Sequence, residues 1–178
     1  MWPWGHLAVG YLAYSGFRRL WTNRPPTGSE TLSLALGSQF PDVVDKTLAW
    51  GLNVLPTGRS LTHSLLTASI LLAVTYRYCQ RNGIRNLWTA FAVGYLTHPF
   101  ADVLQPAVAG DYERVTFLLW PLLELPAKQS VNLSVSVSGF FVFELFLVVV
   151  AVVVWVLDGT PGLDSVRPFC SIFHREQH

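Results

Sequence analysis

The segment from Gly139 to Leu157 determines the environment in which this chain can fold. It is almost entirely apolar, and Glu144 is its one charged residue. A helix rises about 1.5 Å per residue, so about 20 such residues cross a hydrocarbon core of about 30 Å. Only 13% of the 178 residues are charged, which is about half the share in an average soluble domain. The sequence therefore predicts an integral membrane protein.

Three further segments have the length or the composition of membrane helices. They run from Trp2 to Trp21, from Leu61 to Cys79 and from Leu87 to Leu104. A weaker segment over residues 31–54 is interrupted by a proline and is expected to pack inside the bundle. Together these segments predict an all-α, polytopic membrane bundle of about five membrane-embedded helices.

Arginines orient this bundle. They cluster after the first segment (Arg18, Arg19, Arg24), between the second and third (Arg77, Arg81, Arg85) and after the fourth (Arg167, Arg175). By the positive-inside rule these regions are cytoplasmic, so we expect the N-terminus outside and the C-terminus inside the inner or plasma membrane.

The same topology divides the chain into two parts. Residues 1–158 form the membrane-embedded domain, and residues 159–178 form a cytoplasmic tail. The apolar stretch from Val115 to Leu125 falls outside the cell, where it suits an interfacial or re-entrant segment.

Charge and cysteine content exclude other classes of protein. The formal net charge is only +1, so no broad basic surface exists to bind nucleic acid. Cys79 and Cys170 are both expected on the cytoplasmic side, where thiols stay reduced. Their separation does not match the paired cysteines of zinc sites.

Histidines and aspartates gather at one membrane face in this topology. All fall at the predicted outer ends of their segments: His6, Asp42, Asp45, His63, His98 and Asp102. The arginines alone fixed the orientation, so this convergence is an independent result. Ionisable groups inside a membrane protein are functional candidates by default. We therefore predict one polar pocket near the extracytoplasmic surface.

The residue types in this pocket indicate a divalent metal. His98 and Asp102 are four residues apart on a predicted helix, so they share one face and can hold an ion together. Imidazole and carboxylate ligands suit zinc, with manganese or iron as alternatives. Five or six such groups exceed the needs of one tetrahedral ion, so a site for one or two ions is expected.

The start of the second segment suggests an anion-binding corner. Ser60 is predicted as the N-cap of a helix whose N-terminus attracts phosphate. Arg59 adds donors suited to phosphate oxygens. Thr62 and Ser64 are expected to orient ligands by hydrogen bonds.

Three acidic residues have open roles. Asp45 could act as a general base, as a further ligand, or as a partner of Lys46. Glu124 and Glu144 could each be a ligand, a base or a buried hydrogen-bonded acid.

Four motifs resemble the YdjM-like family of inner-membrane metal-dependent hydrolases. They are Trp4-Gly5-His6, residues 37–45 (GSQFPDVVD), residues 59–65 (RSLTHSL) and residues 94–102 (GYLTHPFAD). Residues 118–122 (LLWPL) resemble a later Trp-Pro element of that family, so the likeness covers about residues 4–125.

The resemblance implies five metal ligands: His6, Asp42, His63, His98 and Asp102. Gly58 stands where the family often has a histidine. The order of the ligands is also distantly similar to zinc-dependent phospholipase C. The further His and Glu ligands of those enzymes have no clear counterpart here, unless Glu124 serves.

These observations predict a membrane-bound, metal-dependent hydrolase that acts on phosphate esters such as phospholipids at the outer surface. Arg59 would hold the phosphate. A metal transporter would use the same ligands, but the inner parts of the helices, such as residues 70–74 and 90–93, offer no acidic or imidazole relay. A non-catalytic scaffold or regulator is a further alternative. The oligomeric state stays open.

Overall fold

The computed structural model describes residues 1–126 and 139–163. Its α-helices are α1 (Pro3–Thr22), α2 (Gly28–Lys46), α3 (Leu65–Arg81), α4 (Arg85–Val108) and α5 (Gly139–Leu157). A π-helical turn (Thr47–Gly51) continues α2, and a 3-10 helix (Tyr112–Leu119) follows α4. No strand occurs among these residues, which confirms the all-α prediction.

Local sequence signals explain where α1 and α2 begin. Pro3 occupies the first turn of α1, where its missing N–H needs no partner. Thr27 and Glu30 form a capping box at the start of α2: the Thr27 hydroxyl accepts from the Glu30 amide at 3.3 Å, and the Thr27 amide donates to Glu30 Oε2 at 2.9 Å. Arg18 Nε lies 3.4 Å from the same carboxylate, so an ion pair joins the two helices.

Helices α2 and α4 run in the same direction and cross in backbone contact. A Cβ atom at Gly37 would overlap the carbonyl oxygen of Phe91, and one at Gly94 would overlap the carbonyl oxygen of Leu34. Only glycine permits this approach. The crossing brings the last turns of α2 beside the C-terminal half of α4, where the candidate site lies.

The core lies between the two ends of the bundle. Tyr11, Tyr14, Leu34 and Ala90 form its buried cluster, and Trp155 of α5 packs against it. Helix α5 therefore lies along α1.

At the end opposite the candidate site, Asp158 joins α5 to α1. Its carboxylate accepts hydrogen bonds from Tyr11 Oη at 2.7 Å, Ser15 Oγ at 2.6 Å and Arg19 Nε at 3.0 Å. Burial raises the pKa of Asp158, but these hydrogen bonds outweigh it and hold the pKa below its ordinary value.

Within the described residues, α5 alone is long and apolar enough to cross a membrane by length and composition. The helix has 19 residues, and its mean hydropathy over 18 consecutive residues is 3.0. The prediction of five membrane-embedded helices is not supported on these criteria. Helix α3 has only 17 residues, and the other helices carry the polar and charged side chains of the site and of the Asp158 network. Most of the predicted tail, including Cys170, lies outside the described residues.

Candidate metal centre

The structure brings together the six His and Asp residues that the sequence singles out. His6 lies in the first turns of α1, Asp42 and Asp45 near the end of α2, and His63 directly before α3. His98 and Asp102 lie in the second half of α4. All are buried, and Asp42, at 7% exposure, is the most accessible of them.

Two imidazoles and two carboxylates form the centre of this cluster. His63 Nε2 lies 3.6 Å from Asp42 Oδ1 and 3.7 Å from Asp102 Oδ2. His98 Nε2 lies 3.6 Å and 3.9 Å from the same two oxygens. Ligand atoms around a tetrahedral ion with bonds of about 2.0–2.1 Å are about 3.3 Å apart. These four nitrogen–oxygen distances are therefore only slightly longer than the separation of ligands around one ion.

The other nitrogen of each central histidine is fixed by an acceptor. His98 Nδ1 lies 2.6 Å from the backbone oxygen of Ser38, and His63 Nδ1 lies 2.8 Å from Asp45 Oδ2. Because a carbonyl oxygen only accepts, the hydrogen of a neutral His98 must sit on Nδ1. When His63 is neutral and Asp45 is ionised, the hydrogen of His63 likewise sits on Nδ1, and both Nε2 atoms then have lone pairs that face the cluster, as in histidines that bind metals.

Asp45 organises the segment that carries His63. Its two oxygens accept from Ser60 N at 2.8 Å, Thr62 N at 2.9 Å and Thr62 Oγ1 at 2.7 Å, in addition to His63. It is fully buried. A role as general base or as ligand would require Asp45 to give up some of these bonds, so its geometry favours a positioning role.

The predicted N-cap at Ser60 is wrong. Helix α3 begins at Leu65, and Ser64 caps it by accepting from Leu66 N at 3.2 Å. The amides of Ser60 and Thr62 donate to Asp45 instead of entering a helical turn, because a buried carboxylate competes for them. Arg59 therefore does not stand at the N-terminus of α3.

The three hydroxyl residues of this segment connect it to its surroundings. Ser60 Oγ donates to the oxygen of Thr57 at 3.1 Å. Thr62 Oγ1 also lies 3.0 Å from the oxygen of Pro41, and Ser64 Oγ donates to the oxygen of Trp120 at 2.5 Å. They hold the backbone around His63 in place.

His6 extends the cluster on one side. Its ring stacks on His98, with ring centroids 3.6 Å apart and planes 12° apart. His6 Nε2 lies 3.4 Å from Asp102 Oδ1. His6, His98 and Asp102 form one group with metal-ligand spacing, and Asp42, His63 and His98 form a second. His98 belongs to both.

Several buried nitrogens of the cluster have no hydrogen-bond partner within the part of the chain that the structure describes. They are both ring nitrogens of His6 and the Nε2 atoms of His63 and His98. Leaving a buried polar atom unpaired costs about 1–3 kcal/mol. A cation bound between the rings and the carboxylates would supply the missing partner, so the residues present fit a divalent metal.

Three cationic groups contact the carboxylates of the site. Lys46 Nζ lies 2.6 Å from Asp42 Oδ2. Arg59 Nε lies 2.9 Å from Asp102 Oδ2, and its Nη2 lies 3.2 Å from Oδ1. The amino group of Met1 lies 2.7 Å from Asp102 Oδ1. Lys46 therefore pairs with Asp42 and not with Asp45, and Arg59 reaches the site from a half-exposed position.

The two ambiguous glutamates have different surroundings. Glu124 is exposed and belongs to neither group of candidate ligands. Glu144 is buried, and its Oε2 accepts from Trp2 N at 3.3 Å, so it connects α5 to the start of the chain. The role of Ser38 was not predictable from its side chain, since it acts through its backbone oxygen.

The fold and the cluster define an all-helical protein with one strongly apolar helix and a buried site of imidazoles and carboxylates. The chain belongs to the YdjM inner membrane protein family, whose family model matches residues 1–168. No curated protein and no solved structure matches the chain. The distant likeness to zinc-dependent phospholipase C therefore has no support from these comparisons.

Proposed function

We propose that this membrane protein is a metal-dependent hydrolase of phosphate esters, with phospholipids as the first candidates. One observation carries the proposal. Among the described residues, the Nε2 atoms of His63 and His98 are buried without a hydrogen bond and face oxygens of Asp42 and Asp102 at 3.6–3.9 Å. Buried nitrogens without a partner destabilise the folded chain, and a cation would supply that partner.

The residues that would hold the metal follow from their spacing. Asp42, His63 and His98 would bind one ion, with an Asp102 oxygen within 4 Å of both imidazoles, and His6 with Asp102 would contribute to a second. Zinc suits this set best, and manganese or iron are alternatives. When bound, such an ion lowers the pKa of water and neutralises charge on a phosphoryl group.

The remaining residues would prepare the site for substrate. Asp45 and the Ser38 carbonyl fix the rings of His63 and His98, so that little reorganisation is needed when the ion binds. Arg59 would offer its guanidinium fork to the phosphate. Asp42 is the most accessible of the buried candidate ligands, so substrate would approach from its side.

Membrane attachment supports a lipid substrate. Helix α5 would anchor the chain with its N-terminal end on the side of the site. Leu36, Ile70 and Val74 are each more than 65% exposed. We propose that α2, α3 and the other long helices are also embedded, giving about five embedded helices with the site facing outside. Labelling of single cysteines introduced at Gly110 and Asn82 in intact cells tests this topology, because only Gly110→Cys should react from outside.

The core favours a hydrolase over a transporter. Tyr14, Leu34 and Ala90 of the core are each at most 1% exposed. Among the described residues these side chains leave no row of ligands along which an ion could move.

Elemental analysis and phospholipid hydrolysis by the purified protein test the proposal. His98→Ala and Asp102→Ala each remove one candidate ligand and should lose the ion and at least about a thousandfold in activity. Asp111→Ala is the matched control, because Asp111 is ion-paired with Arg114 outside the candidate ligand groups. Equal activity in all three variants would remove the proposal.

A further inference from the structure

We propose that Lys46 and Arg59 together form an anion subsite that binds the phosphate group of the ligand beside the metal centre. Lys46 is the new member of this pair. The inference rests on the proposed function, since it names the groups that recognise the substrate.

Both cations contact the candidate metal-binding carboxylates from the outside. Asp42 directs Oδ1 toward the imidazoles and Oδ2 toward Lys46, at 2.6 Å from Nζ. Asp102 receives Arg59 on both oxygens, at 2.9 Å and 3.2 Å. Each carboxylate thus stands between the imidazole cluster and a cationic side chain.

The chain brings the two cations together through Gly58, which directly precedes Arg59. A Cβ atom at Gly58 would lie 3.3 Å from Lys46 Cγ and 3.0 Å from the ring of Trp50. Lys46 Nζ lies 5.9 Å from the centroid of that ring. Gly58, the chain neighbour of Arg59, therefore packs directly against the Lys46 side chain.

An open groove leads to Lys46 and Asp42. Its lining residues are Pro3, Gln39, Asp42, Val43, Lys46 and Thr47. The side chains of Lys46 and Arg59 are 36% and 47% exposed, whereas that of Asp42 is 9% exposed. A ligand in the groove would meet Lys46 before the buried candidate metal ligands.

Charge balance explains why two cations belong at this place. A divalent ion between Asp42 and Asp102 would take over part of the neutralisation that Lys46, Arg59 and the Met1 amino group provide without it. Their donors are then available to an anionic ligand. The guanidinium fork suits two phosphate oxygens and the ammonium a third, which is the complement of a phosphate ester.

Binding of inorganic phosphate to the zinc-loaded full-length protein, measured by calorimetry, tests the subsite without relying on turnover. Lys46→Gln and Arg59→Gln should each weaken phosphate binding by about tenfold or more while retaining the ion, because each removes a charge-assisted hydrogen bond. Lys46→Arg should restore most of the affinity. Arg114→Gln, which removes an exposed cation outside the site, should bind phosphate like the wild type.

Equal phosphate affinity in Lys46→Gln and Arg114→Gln, or no phosphate binding by the wild type, would overturn the subsite.

Hydrolysis assays then separate the two proposals. If Lys46→Gln weakens phosphate binding but the wild type hydrolyses no ester, the proposed function fails and the subsite stands. If the wild type is active and Lys46→Gln leaves KM unchanged, the subsite fails alone. If Lys46→Gln raises KM for both a soluble aryl phosphate and phosphatidylglycerol vesicles, the subsite recognises the phosphate group that the two substrates share. If Lys46→Gln raises KM for the vesicles alone, the subsite recognises lipid headgroups.

Discussion

The two ends of the helical bundle hold buried carboxylates in opposite situations. At one end, Asp158 receives donors from Tyr11, Ser15 and Arg19, and its hydrogen-bonding capacity is used within the chain. At the other end, imidazole nitrogens beside Asp42 and Asp102 are buried without hydrogen-bond partners in the part of the chain that the structure describes. The first network is complete and joins α1 to α5. The second network has unused hydrogen-bonding groups, as expected of a site that binds a ligand.

The largest effect on folding should come from breaking the complete network. Asp158→Ala leaves the hydroxyls of Tyr11 and Ser15 buried without an acceptor, so we expect a loss of about 2–4 kcal/mol in the free energy of unfolding. Metal content per folded chain should stay unchanged. Thermal unfolding in detergent, with Asp111→Ala as control, measures the effect. Unchanged stability would show that this end is not a structural network.

A smaller effect is expected from the residue that positions His63. Asp45→Asn replaces one carboxylate oxygen by an NH2 group that cannot accept from its present donors. Metal affinity should fall by about 10- to 100-fold, because the ring of His63 loses its fixed orientation. Competition with a chelating dye measures the affinity. If activity vanishes while metal affinity is unchanged, Asp45 acts as the general base and not as a positioning residue.

The pH dependence of stability separates the two ends further. The folded-state pKa of Asp158 is below its ordinary value of 3.8, so its contribution is present above that value. This contribution is lost as the pH falls through the lowered pKa. The free energy of unfolding of the wild type should therefore decrease in this acidic range. Asp158→Asn should make the free energy of unfolding less dependent on pH there. The same acid dependence in both proteins would contradict the assignment.

The smallest effect is expected at Glu124. This side chain is exposed and outside both ligand groups. Glu124→Gln should leave metal content unchanged and stability within about 0.5 kcal/mol of the wild type. A loss of one equivalent of metal in this variant would instead make Glu124 a ligand.

The sequence predicted that the His and Asp residues lie close together, but it did not predict the backbone and hydrogen bonds that hold them. Helix spacing and arginine placement were sufficient to bring His6, His98 and Asp102 to one end. The spacing defines the helix faces, and the arginines define the direction of each helix. The backbone from Ser60 to His63 was not predictable, because hydrogen bonds to Asp45, a residue distant in the chain, determine its conformation. Helix propensities describe only local sequence. The contact of Ser38 with His98 likewise depends on the glycine-mediated crossing of α2 and α4.

The number of spanning helices was the weakest part of the prediction. Helices that carry a polar site and a charged network have less apolar sequence than α5, so length and hydropathy identify only α5 among the described residues. Their exposed apolar residues became visible only once the packing of the bundle was known.

Elemental analysis of the purified wild-type protein beside a His63→Ala/His98→Ala double variant tests the central claim most directly. We expect about one or two equivalents of a divalent ion, zinc first, in the wild type. The double variant should hold almost none while remaining folded. Equal metal content in the two proteins, or a wild type that takes up no divalent ion when supplied with one, would contradict it.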